Sequence, residues 1–464
     1  MWDFAFKGDF HGDSVWSIII QLTLILVFLF LGNMVRRLIP FLKKSFIPSA
    51  LIGGLLLGLT NLLIKGITSN KFALVDSDIM KVVTYHALAI GFIAMTLKVS
   101  NKENKKRLGT LSIQNGLITG ATYMIQAVFG ILTVLVFMWA GKAIFYDAGI
   151  ILPLGFGQGP GNAMTWDINF SKDGFMDTSG SFGLAIASIG FIVASVVGVI
   201  YLNIFRAKGE ISRETTLVNR KVEEFVDVHE IEDNDSVDKF SIQVGIVAVC
   251  YAITFGIMYG LAQFGAFVSN IAWGFNFIFG VISATLVKLL LVKLKEKKVI
   301  NHKYINNYQM DRISGFAFDL MIIAGVAAID INDIKNYIWV ILALSIVGTI
   351  VTYIYVRFMT KHCYKDLSHE MFLVNFGTLT GTASNGMILL REVDPSFKTR
   401  SSDIFVVSQL PAMVAVAPLL LLLEFSAKSQ TKMFIALGIF AFLAIAYTLV
   451  ILFLSKKYKE RDKK

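Results

Sequence analysis

Two short stretches of this chain combine residue types that can do chemistry inside an apolar protein. The first is Phe156-Gly157-Gln158-Gly159-Pro160-Gly161-Asn162-Ala163; the second is Phe376-Gly377-Thr378-Leu379-Thr380-Gly381-Thr382-Ala383, followed by Ser384 and Asn385. At an offset of 220 residues, four of the eight positions are identical. Glycine and proline interrupt a helix, and an interrupted helix offers free amides at one broken end and free carbonyls at the other. The amides can hold a carboxylate and the carbonyls a cation. Gln158, Asn162, Thr378, Thr380, Thr382, Ser384 and Asn385 add neutral donors and acceptors, while Gly157, Gly159, Gly161 and Gly381 admit a ligand to the backbone. This set suits an oxygen-rich sodium shell, for which Asn162 and Thr380 are candidates, beside a small zwitterion or carboxylate. Membrane glycines also serve close helix packing, but recurrence at an equivalent place in the second half favours a site.

Ionisable residues within apolar segments are few, and each is costly in lipid. Asp319 has two readings: a ligand for the cation or a substrate amine, or an interfacial carboxylate paired with Arg312. Lys98 reads as a snorkelling residue, with a clamp on the substrate carboxylate as the alternative, and His86 as a helix-packing residue, with a proton relay as the alternative. Asp167 and Arg391, just past the two interrupted tips, are expected in solvated loops. Cys250 and Cys363 show no metal-ligand spacing and read as packing residues. No transition-metal site is expected, and no organic cofactor. The chain lacks a phosphate-binding Gly-Lys-Ser/Thr loop, a His-Glu-x-x-His motif and an arranged nucleophile, so an enzyme reading has no support.

The elements that must position these stretches follow from composition. Of 464 residues, 55% are hydrophobic and only 16% charged, and the mean hydropathy is +0.66, far outside the soluble range. The net charge of +10 belongs to loop asymmetry rather than to nucleic-acid binding. Apolar runs place spans at 15–34, 47–64, 79–97, 111–139 and 181–205, then 240–264, 271–291, 313–328, 337–358, 404–423 and 433–454. The interrupted segments 148–168 and 371–390 read as re-entrant, since irregular backbone at membrane depth must line protein or a watery cavity. With the N-terminus outside, the cytoplasmic loops carry 33 Lys and Arg and the outer loops 8.

The fold class expected is an all-α polytopic membrane protein of 11 spans, with the C-terminus inside. Two inverted-topology repeats, 1–205 and 240–424, each hold five spans and one re-entrant segment. Between them lies an acidic cytoplasmic linker, 206–239, rich in residues such as Glu223, Glu224 and Asp227, and 425–464 adds an unpaired helix and a basic tail. Inverted repeats with interrupted segments mark secondary transporters.

The chain resembles the bacterial sodium:glutamate symporters over nearly all of residues 15–424. Ile47-Pro48-Ser49-Ala50-Leu51-Ile52-Gly53-Gly54-Leu55 in the second span and Gly157-Gln158-Gly159-Pro160-Gly161 carry the likeness. It departs from the family pattern where Gln158 replaces a histidine and where the second stretch lacks a proline near Ser384. The resemblance implies a dimeric, sodium-coupled amino-acid carrier of the bacterial inner membrane, working by an elevator-like movement of the re-entrant segments. On this reading the cargo is glutamate or a related small carboxylate, and the helices bearing His86 and Asp319 move with the segments. The alternatives are the same fold carrying another amino acid or an organic anion, with protons as the coupling ion, and more distantly a channel or membrane sensor.

Overall fold

Each stretch read as a span falls on helix in the computed structural model, which describes residues 13–44, 47–69, 72–98, 105–211, 239–299, 304–394 and 399–461. The helices are α1 (Asp13–Leu38), α2 (Pro40–Lys44), α3 (Ser49–Ile67), α4 (Ser77–Leu97), α5 (Lys105–Trp139), α6 (Ala148–Gln158), α7 (Pro160–Lys172), α8 (Ser181–Ala207) and α9 (Lys239–Ala262). They continue as α10 (Ala266–Gly274), α11 (Asn276–Glu296), α12 (Asn307–Ala327), α13 (Ile331–Ile334), α14 (Ile338–Cys363), α15 (Ser368–Thr380), α16 (Ala383–Arg391), α17 (Ser401–Ala427) and α18 (Gln430–Arg461). The linker acids Glu223, Glu224 and Asp227 lie outside the described residues.

Among the described residues, nine helices are long and apolar enough to cross a membrane, and α17, bent by 43° at Gln409–Pro411, makes a tenth. Proline removes an amide and crowds the preceding turn, which accounts for the bend. The bend lays α17 on α5, where a Cβ on Gly116 would stand 2.5 Å from Pro411 and one on Gly120 2.5 Å from Ala415. The stretch expected as a further span at 313–328 falls on α12, which is not apolar enough to be counted with them because Asp311, Arg312 and Asp319 all sit in it. It also starts earlier than its apolar run, since Asn306 caps it by accepting from the Gln309 amide at 3.1 Å. Asp319 is therefore a mid-helix residue rather than one near the helix start. The span expected at 271–291 is broken at Phe275, where the indole of Trp166 packs against the Phe275 ring (5.1 Å between centroids).

The helices pack in two groups. In one, α1 lies on α3, α9 on α11, α3 on α12 and α11 on α4, with α4 and α12 crossing each other. A Cβ on Gly91 of α4 would stand 2.7 Å from the Phe318 ring of α12, so the crossing is close. In the other, α5 packs on α17, α18 and α14, and α8 packs on α7, α14 and α15. Helices α4 and α12 pack mainly with each other and with α1, α3, α9 and α11, and meet the second group through α7 and α8. The outer faces are apolar. On α18, Phe442, Ile445, Leu449 and Phe453 form an exposed stripe at helical spacing, while Ala436, Phe440, Ala444 and Ile451 are buried against the bundle.

Candidate functional site

Both interrupted stretches are broken helices. Helix α6 widens into a π-helical turn over Leu154–Gln158 and stops at Gly159, whose φ of +86° and ψ of −172° suit glycine. Pro160 then opens α7 at its first position. The segment turns back on itself, because Phe145 before α6 stacks on Phe175 beyond α7 (4.8 Å) and meets Phe170 edge-on (5.3 Å). In the second stretch, α15 ends at Thr380 and α16 returns alongside it. A Cβ on Gly377 would stand 2.8 Å from the Cα of Gly386, so two glycines let the arms of this hairpin touch.

Helix α8 receives both segments along one face. Gly183 faces Ala163 of α7 at a Cβ distance of 2.5 Å, Gly190 faces Phe156 at 3.1 Å and also the Thr380 carbonyl, and Gly198 faces Leu389 of α16 at 2.6 Å. From Gly183 to Gly198 is roughly 22 Å of helix. The first segment thus has its outer ends near the start of α8. The second has its ends near the finish of α8, where Arg206 donates to the Glu392 carbonyl (2.8 Å) and Tyr201 hydrogen-bonds His369 (2.8 Å). The breaks meet between them, at Gly190. A Cβ on Gly159 would lie 3.4 Å from Thr382 Cγ2 and 3.7 Å from Met321 Cε.

Four helix ends converge there. The amide ends of α7 and α16 carry no side-chain cap, and the carbonyl ends of α6 and α15 point into the same junction. Buried polar atoms collect around them: Gln158 Oε1, both amide atoms of Asn162, Thr382 Oγ1 and Asn385 Nδ2 have no hydrogen-bond partner among the described residues. Leaving such atoms unpaired costs about 1–3 kcal/mol each, so a cluster of them fits a bound polar ligand.

Comparison with known families places this geometry. The sodium/glutamate symporter family matches residues 15–372, more than half of the chain. The chain belongs to that family. No individual curated protein matches it. This symporter is accordingly a multi-pass membrane transporter and not an enzyme, in a family that couples glutamate transport to sodium. The family match stops inside α15, so the second break, α17 and α18 lie beyond it.

The remaining candidates take differing places in the symporter. Gly157, Gln158, Gly159, Gly161 and Asn162 gather at the first break; Thr380, Gly381, Thr382 and Asn385 gather at the second. Thr380 is fully buried, with its hydroxyl donating to the Phe376 carbonyl (2.7 Å). Thr378 lies in the hairpin seam against Gly386, its hydroxyl donating to the Val374 carbonyl (2.7 Å). Ser384 falls on α16, with its side chain outside the described residues.

Asp319 is not brought to the junction. Met321 touches Gly159, and two residues earlier lies roughly 200° round the helix. Asp319 stands instead on the stripe of Ile323, which packs 3.0 Å from a Cβ on Gly53 of α3. Nor does it pair with Arg312, whose guanidinium donates to the Tyr308 hydroxyl (3.1 Å). Lys98 meets Asp311 at 2.6 Å, and His86 hydrogen-bonds the Tyr251 hydroxyl.

Asp167 corrects the expectation of a solvated loop. It is fully buried in α7, accepting from the Thr178 hydroxyl and from the Gly183 amide at 3.0 Å. An unpaired amide at the start of α8 attracts a carboxylate, which pins α7 to α8. The α8 glycines went unread in the sequence, although Gly183, Gly190 and Gly198, spaced by seven and eight, share one helix face.

Proposed function

We propose that this symporter carries glutamate or a related small carboxylate with sodium, binding both where the two broken helices meet. The observation that carries this reading is the convergence of four broken helix ends on a cluster of buried, unpaired polar atoms at Gln158, Asn162, Thr382 and Asn385. The amide ends of α7 and α16 would hold the carboxylate, with Gly161 and Gly381 admitting it to the backbone, and Ser384 lies in the first turn of α16. The carbonyl ends of α6 and α15, with Asn162 and Thr380, would hold sodium.

The segments are proposed to be re-entrant, one from each face of the membrane, within two inverted repeats. Matched packing supports this, since α3 on α12 is answered by α11 on α4, and α5 on α17 by α14 on α8. Alternating access then follows from an elevator-like shift of the group around α5–α8 and α14–α17 against the group built on α4 and α12. A homodimer and a bacterial inner-membrane location are carried over from the family resemblance.

Gly161→Leu and Gly381→Leu test the site. A side chain at Gly161 meets Leu88 at 2.8 Å and one at Gly381 meets the Asn385 amide at 2.5 Å. Both variants should insert in the membrane and lose uptake; normal uptake by both removes the site assignment.

A further inference from the structure

We propose that Tyr123 and Gln126, one turn apart on α5, are positioning residues that hold the broken carbonyl ends of α6 and α15 in register. This rests on the proposed site and adds to it two residues outside both segments.

Gln126 is fully buried at the middle of α5. Its Nε2 donates to the Leu379 carbonyl at 2.9 Å and to Thr352 Oγ1 of α14 at 2.7 Å. In an unbroken helix the Leu379 carbonyl would accept from the amide four residues on; the break at Gly381 removes that partner, and Gln126 supplies a donor in its place. The carbonyl fixes which end of the amide is nitrogen, so Oε1 faces away and stays a buried acceptor without a partner among the described residues.

Tyr123 does the matching work at the other break. Its hydroxyl oxygen would stand 2.5 Å from a Cβ on Gly157, so the ring sits where only glycine leaves room. That places the hydroxyl at the last turn of α6, beside Gly157 and next to Gln158, where the helix ends. Residues three apart share a helix face, so one rigid face of α5 touches both carbonyl ends. Further along α5, Asn115 accepts from Asn375 Nδ2 (2.7 Å) and donates to Ser408 Oγ (2.8 Å), which ties α15 and α17 to the same helix. Fixing both carbonyl ends to α5 sets the spacing of the oxygens that face a cation between them.

The test is sodium-dependent glutamate uptake in proteoliposomes by Gln126→Leu and Tyr123→Phe, with the thermal unfolding midpoint measured on each. Loss of the Gln126–Leu379 hydrogen bond in Gln126→Leu, or of the hydroxyl packed on Gly157 in Tyr123→Phe, should raise the half-saturating sodium concentration about threefold to tenfold. A purely structural role would lower the unfolding midpoint and maximal rate while leaving half-saturation in place. Thr352→Val, which touches neither break, should shift half-saturation less than Gln126→Leu. Half-saturating sodium within about twofold of the parent protein in both α5 variants overturns the proposal. If uptake is also normal in Gly161→Leu and Gly381→Leu, the site itself is lost; if those two are inactive, only the α5 assignment fails.

Discussion

Gly159 and Thr382, which lie in different halves of the chain, stand side by side, with 3.4 Å between a Cβ on the one and Cγ2 of the other. Each belongs to a break in its own helical segment, so the contact joins the two pieces of backbone least able to satisfy their own hydrogen bonds. It also explains why both stretches need glycine: the chain must stop and restart at a point crowded by the other half.

Gly159→Ala should damage transport more than its size suggests. A φ of +86° with ψ near 180° is strained by about 1–3 kcal/mol for any residue with a Cβ. The added methyl would also touch Thr382 and Met321. Uptake and membrane insertion measured together should show insertion retained and uptake reduced about tenfold or more; full uptake would mean the break relaxes without consequence.

Asp167→Ala should act through stability. It leaves the Thr178 hydroxyl and the Gly183 amide unpaired in a buried place, a loss of about 1–3 kcal/mol for each orphaned group. Thermal unfolding in detergent should show a lowered midpoint for Asp167→Ala and a smaller drop for Asp167→Asn, which keeps one acceptor oxygen. Equal midpoints for all three proteins would argue against the anchor.

Asp319→Asn should leave the sodium dependence of uptake unchanged, because Asp319 lies on the helix stripe of Ile323, which packs on α3, roughly 200° from Met321, which faces the break. A large rise in half-saturating sodium would return this carboxylate to the cation site and require α12 to turn.

Much of this was legible in the sequence for a physical reason. Apolar length fixes membrane helices, and glycine with proline fixes where they break, so both broken segments could be placed from Gly157–Gly161 and Gly377–Gly381. What could not be read were matters of facing and burial. Asp167 reads as a loop residue because its partners, Thr178 and Gly183, are identified only once α7 lies against α8. Asp319 reads as interfacial when the helix is started at Ile313; the polar turn from Asn307, capped by Asn306, makes it a mid-helix residue, and which neighbour it faces depends on how α12 lies against α3 and α4. The break at Phe275 packs on Trp166 of α7, a contact with no trace in local sequence.

The central claim is that this symporter moves a small carboxylate by sodium coupling at the junction of the two breaks. Its most direct test is uptake of labelled L-glutamate into proteoliposomes, with and without an inward sodium gradient, for the parent protein beside Asn162→Leu. Glutamate should accumulate only with the gradient, and Asn162→Leu should accumulate little. Accumulation that is indifferent to sodium, or undiminished in Asn162→Leu, would contradict the account.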